Sequence, residues 1–224
     1  MNTRAYLAEL LGTFLFMMVG YGSVAAFRAA GTPPVPSLLV VPFAFGFGLL
    51  AAIYAFGHAS GGHFNPAVTV AMMLDRRTTP ADAVGYIIAQ VIGAIGAAAV
   101  VLVTVDQAAV AAAITKPGTG ITDLNALILE IVFTAIFLAV ILTASKRNAA
   151  LAGVVIPLTL VGIHFAIATL TGSSVNPARS LGAAVVGGDL NQIWIYIIGP
   201  VIGGIIGFGA FKALEGSEDR AVPE

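Results

Sequence analysis

The 224-residue chain contains no cysteine, which excludes disulfides, thiol nucleophiles and thiolate metal sites. Charge is scarce as well. Asp, Glu, Lys and Arg make up 9% of the residues, against about 25% in a soluble domain whose surface must face water. The net charge of −1 gives no footing for a nucleic-acid partner. The histidines are His58, His63 and His164, and no carboxylate cluster gathers round any of them, so neither a metal site nor another cofactor is expected. No nucleophile–base pair stands out, which leaves an intramembrane enzyme without support. What the chain has in abundance is apolar surface: 58% hydrophobic residues and a mean hydropathy of +0.99. Lipid is the expected surroundings.

Stretches near 5–27, 38–57, 81–104, 123–144, 149–170 and 191–213 are each long enough to cross the hydrocarbon core, which takes roughly 20 helical residues. They are continuous rather than alternating in polarity, so a transmembrane barrel does not fit. The first run exceeds the apolar core of a signal peptide and contains Glu9, so it reads as a retained helix. With both termini on one side, Arg4, Arg76, Arg77, Lys146, Arg147, Lys212 and Arg220 share that side and Arg28 and Lys116 the other. The positive-inside rule then places both termini in the cytoplasm. The polar stretch 215–224 reads as a disordered tail with no soluble domain appended.

Residues 1–214 read as one domain built from two related halves, about 1–104 and 123–214. Tyr86-Ile87-Ile88-Ala89-Gln90-Val91-Ile92-Gly93 returns as Tyr196-Ile197-Ile198-Gly199-Pro200-Val201-Ile202-Gly203. Glu9 and Thr13 of the first run are matched by Glu130 and Thr134 of the fourth, and Asn65-Pro66-Ala67 by Asn176-Pro177-Ala178. Each half reads helix, helix, half-helix, helix, and an odd number of crossings per half makes the second copy inverted. The rows Ala89, Gly93, Ala97 and Gly199, Gly203, Gly207 keep a four-residue spacing that permits close helix contact.

The apolar pieces after Asn65 and Asn176 are about two turns each, too short to span. Asn is a favoured N-cap and Pro suits the first helical position. The preceding Gly61-Gly62-His63 and Gly172-Ser173-Ser174 favour extended, exposed backbone, tolerable at membrane depth where it lines a wet cavity or is buried in protein. In an inverted repeat the half-helices meet by their N-termini, each carrying about half a positive charge. That field disfavours cations, while the Asn65 and Asn176 amides can donate to the oxygen of a passing neutral molecule. Glu9 and Glu130, acids inside spans, read as acceptors for the loops that carry the half-helices.

The motifs Gly61-Gly62-His63-Phe64-Asn65-Pro66-Ala67-Val68-Thr69 and Ser173-Ser174-Val175-Asn176-Pro177-Ala178-Arg179-Ser180 resemble those of the aquaporin (major intrinsic protein) family, and the likeness covers nearly the whole chain. It implies an all-α membrane protein with six transmembrane helices and two re-entrant half-helices in an hourglass, a pore in every protomer and a homotetramer. It further implies a selectivity filter at Phe45, His164, Ser173 and Arg179, and acceptor carbonyls at Gly61, Gly62, His63, Gly172, Ser173 and Ser174. A filter of Phe, His and Arg resembles the water-selective branch, as does Ser180 where the glycerol-conducting branch has Asp. Ser173 in place of Thr or Cys, and Ile197 in place of Trp, lean the other way. The expected function is passive conduction of water with exclusion of protons and ions, in a multi-pass protein of the plasma membrane. The alternatives are a facilitator for glycerol or other small neutral solutes and, from another class, a membrane junction or scaffold protein.

Overall fold

The structure is a computed structural model that describes residues 2–31 and 34–215; Arg220 and the rest of the expected tail beyond Glu215 lie outside the described residues. Polar side chains start the long helices and apolar runs carry them. α1 (Thr3–Ala29) begins at Asn2, α4 (Pro80–Thr104) at Thr79, α6 (Asp123–Arg147) at Thr122 and α7 (Ala149–Thr171) at Asn148, and each cap accepts from an amide in the first turn. With α2 (Pro34–Ser60) and α9 (Ile193–Leu214), these make six helices among the described residues that are long and apolar enough to cross a membrane. All six expected spans are present, with ends displaced by up to about a turn.

Two short helices occupy the expected half-spans, α3 (Pro66–Leu74) and α8 (Pro177–Gly187). α8 is longer than two turns; it stops where Gly188 turns left-handed at φ 82°. The link between α4 and α6 holds a helix the sequence did not announce, α5 (Gln107–Ala112), capped by Asp106. Six residues are too few to display a helical period.

The packing repeats between the halves. α1 lies against α2 and α4, and α6 lies against α7 and α9 in the same way, while α2 meets α7 across the middle. Each half-helix packs mainly on the last long helix of the other half, α3 on α9 and α8 on α4. Small residues make the close contacts possible. A Cβ at Gly93 would stand 2.4 Å from the Leu10 carbonyl of α1, and one at Gly203 would stand 2.4 Å from the Ile131 carbonyl of α6. The end of the bundle that holds Asn2 also gathers an ion-pair clasp. Asp75 bonds Arg77 Nε at 2.7 Å and Lys212 Nζ at 2.6 Å, and Glu215 bonds both Lys212 and Lys146. At the other end Arg28 pairs with Asp106 and Lys116 with Asp189.

Candidate functional site

The loops entering α3 and α8 share one backbone shape. φ is 90° at Gly61 and 79° at Gly172, 68° at Gly62 and 49° at Ser173, and 47° at Phe64 and 44° at Val175. The expected extended run is therefore corrected to a left-handed one at these positions. For residues with a Cβ this costs about 1–2 kcal/mol each, and a β-branched Val175 is least suited to it.

Buried carboxylates hold the shape. Glu9 accepts from the Ser60 hydroxyl, the His63 and Phe64 amides (2.9 and 2.7 Å) and Gln90 Nε2 at 2.7 Å. Glu130 accepts from the Thr171 hydroxyl and from the Ser174 and Val175 amides at 3.0 and 2.8 Å. Relaxing either loop would orphan buried amides at about 1–3 kcal/mol apiece, which matches or exceeds the strain. Around the carboxylates the duplication breaks at the fourth donor to Glu9, Gln90, whose counterpart in the second half is Pro200. Gln90 Nε2 also donates to Thr69 Oγ1, which passes its own proton to the Asn65 carbonyl and so accepts from His63 Nδ1. Among the described residues, the carbonyls of Gly61, Gly62, His63, Ser173 and Ser174 receive no protein donor. Gly172 is different, because its carbonyl accepts from Arg179 Nη2 at 3.3 Å.

The half-helices meet at their N-termini. Asn65 Oδ1 caps α3 through the Ala67 amide, and Asn176 Oδ1 caps α8 through the Ala178 and Arg179 amides. Each Asn then reaches across: Asn65 Nδ2 donates to the Val175 carbonyl at 2.8 Å, and Asn176 Nδ2 to the Phe64 carbonyl at 2.9 Å. Every amide group has a second N–H beyond this cross-bond. Pro66, Ala67, Pro177 and Ala178 are buried behind the asparagines as the first helical residues.

A cavity of about 710 Å³ runs past this junction. One end is lined by Asn2, Thr79 and Asp82, the middle by Gly61, Gly62, His63, Asn65, Ser174 and Asn176, and the other end by Phe45, His164 and Arg179. At this last end the Phe45 and His164 rings stack, with centroids 4.8 Å apart, and Arg179 Cζ lies 5.2 Å from the Phe45 centroid. His164 Nδ1 is 3.0 Å from the Leu160 carbonyl, an acceptor only, so Nδ1 carries the proton and Nε2 presents a lone pair. That Nε2 is buried and unpartnered, as is Arg179 Nε. Arg179 Nη1 is fixed by the Ala113 carbonyl at 2.6 Å. Phe45, His164 and Arg179 thus come together, with an acceptor and a donor beside an apolar wall. Gly172 and Ser173 sit next to Arg179 but outside the cavity lining, and the Ser173 hydroxyl is buried without a partner.

Sequence reasoning passed over Tyr21, whose hydroxyl donates to the Arg179 carbonyl, and Ala113, in the link after α5. It also left Thr115 unread, whose hydroxyl joins those of Ser180 and Ser174 in a buried chain. A tyrosine in an apolar span carries no local sign of such a partner. Gln90 did carry one, as an amide side chain inside a span.

The sequence model of the major intrinsic protein family matches residues 1–211, and the chain belongs to that family of passive membrane channels. It is an integral, multi-pass membrane protein and not an enzyme. It is 42% identical to glycerol uptake facilitator protein-like 6 of Lactiplantibacillus plantarum, over 96% of this chain and 100% of that one. It is also 42% identical to aquaporin Z of Photorhabdus laumondii, over 94% and 97% of the two chains. Among solved structures, the aquaglyceroporin from Plasmodium falciparum shares the fold at a TM-score of 0.86 and 22% identity, over 96% of this chain and 97% of that one.

Proposed function

We propose that this channel passes water in preference to glycerol and excludes protons and ions, with Phe45, His164, Ser173 and Arg179 as its filter. The observation that carries the reading is the convergence of two stacked rings and a guanidinium at one end of the cavity, which sets an apolar wall beside one lone pair and one N–H. A water satisfies both polar groups at once, whereas a three-carbon polyol must bring its carbon skeleton past the same rings. At the junction, the second N–H of Asn65 and of Asn176 donates to the permeant oxygen. The unpartnered loop carbonyls accept its protons. A water held by both amides cannot relay a proton along the file, and the two helix N-termini and Arg179 repel cations. Glu9 and Glu130 act as scaffold acids that keep the carbonyls aimed inward.

Residues 1–214 form one channel domain of two inverted halves, assembled as a homotetramer. Both termini face the cytoplasm at the plasma membrane. The basic clasp of Arg77, Lys146 and Lys212 supports that orientation. A facilitator of small neutral solutes is the second reading, favoured by the small Ser173 and by the relative named as a glycerol uptake facilitator-like protein. Stopped-flow light scattering of proteoliposomes decides between them. The expected result is fast water flux with glycerol flux near that of protein-free vesicles. Glycerol permeation comparable to water selects the second reading, and no flux of either solute removes both.

A further inference from the structure

Phe45 forms the apolar side of the constriction, yet its position is decided on α1, which contributes nothing to the ring. The Phe45 side chain lies directly on Gly20: a Cβ there would stand 2.3 Å from Cε1 and 2.6 Å from Cδ1 and Cζ. Real Cβ atoms do not come so close, so either the ring or the helix would have to move. The ring has little freedom to slide. The edges of Phe16 and Tyr21 flank it, with centroids at 6.0 and 6.4 Å, and on the side where it lines the cavity it meets His164 and Arg179. Tyr21, next to Gly20, also donates its hydroxyl to the Arg179 carbonyl, so α1 is anchored to the α8 side of the filter and cannot retreat cheaply. The displacement left to Phe45 is toward the permeation path.

We propose that Gly20 is the positioning residue that sets the aperture of the filter: lacking a side chain, it lets Phe45 withdraw against α1, and any Cβ drives the ring toward His164 and Arg179. This rests on the reading above that these residues form the constriction, and it adds a determinant outside the filter itself.

The test compares wild type, Gly20→Ala, Phe45→Leu and the double variant in proteoliposomes, with flux normalised to folded protein. Overpacking at a narrow point predicts that Gly20→Ala lowers water permeability by about fivefold or more, and any glycerol leak by a larger factor. Phe45→Leu removes the outermost ring atoms and is expected to raise the glycerol-to-water ratio. In the double variant the ε and ζ carbons are gone and the leucine can turn its δ carbon away from the new Cβ about χ2, so the Gly20→Ala defect should largely vanish and the protein should behave much as Phe45→Leu alone; such non-additivity marks a direct contact. If Gly20→Ala yields no folded protein, recovery in the double variant still supports the proposal, and failure to recover overturns it. Wild-type flux and selectivity in folded Gly20→Ala also overturn it, and if Phe45→Leu has shifted the ratio in that experiment, the filter reading stands without it. A wild type that conducts nothing removes both.

Discussion

At the scale of single residues, the proposed filter combines features that announce themselves with features that do not. Ser173 is the informative case. It is fully buried, left-handed at φ 49°, and its hydroxyl has no protein partner, yet it stands outside the cavity lining beside the carbonyl that holds Arg179. If that hydroxyl faces the permeant, a thiol there will too. The wild type, with no cysteine, should be insensitive to mercuric ion, whereas Ser173→Cys should lose most of its water flux on mercury and regain it with a thiol reductant. Undiminished flux in the treated variant would put Ser173 behind the wall and not in it. Arg179 stands out in the sequence because a guanidinium in an apolar stretch is costly. His164 does not, since a lone buried histidine is usually a packed core residue, and its reading depended on the family motifs. Gly20 and Tyr21 were illegible for a physical reason: their partners are side chains and a carbonyl from distant parts of the chain, as with the Tyr21–Arg179 bond across 158 positions.

At the scale of elements, the six spans and two half-helices were legible because length, hydropathy and Asn-Pro starts are local properties. α5 was not, being short and held in place by tertiary contacts, including Gln107 Nε2 donating to the Val186 and Gly187 carbonyls of α8. The four-residue glycine rows announced close helix contact but not its partner or tightness. Gly203 meets the α6 backbone at Ile131, while a Cβ at Gly209, farther along the same helix, would find nothing within 4 Å. Gly203→Ala should therefore cost about 1–3 kcal/mol through overpacking, and Gly203→Leu should fail to assemble. Gly209→Leu, in contrast, should match wild type. Folded yield by size-exclusion chromatography and the thermal midpoint in detergent check this. Equal effects at 203 and 209 would mean that the α6–α9 contact does not govern stability.

At the scale of the whole molecule, the two halves hold each other's working parts: each half-helix rests on the other half's last span, and each Asn bonds the other loop. The membrane supplies no polar partners inside the hydrocarbon, so ionic closure of the bundle falls to its ends. At the end bearing Asn2, Glu215 follows directly after α9 and pairs with Lys146 and Lys212, while Lys212 also grips Asp75 just after α3. Those ammonium groups pull the Glu215 carboxyl down to about 2. Because its folded value is depressed, the stabilisation is fully present above the ordinary range of about 4.3. It is lost as pH falls from there through the folded value of about 2, below which both folded and unfolded forms are protonated. Glu215→Gln removes this contribution at every pH. The thermal midpoint of wild type should exceed that of Glu215→Gln by a constant margin from neutrality down to about pH 5, and the margin should then narrow and close near the folded value. Titration of carboxyls away from the clasp, Asp189 beside Lys116 among them, affects both proteins alike and cancels in the difference. A margin that persists unchanged through that acid range would show that Glu215 stabilises the end of α9 by packing, with its charge contributing nothing.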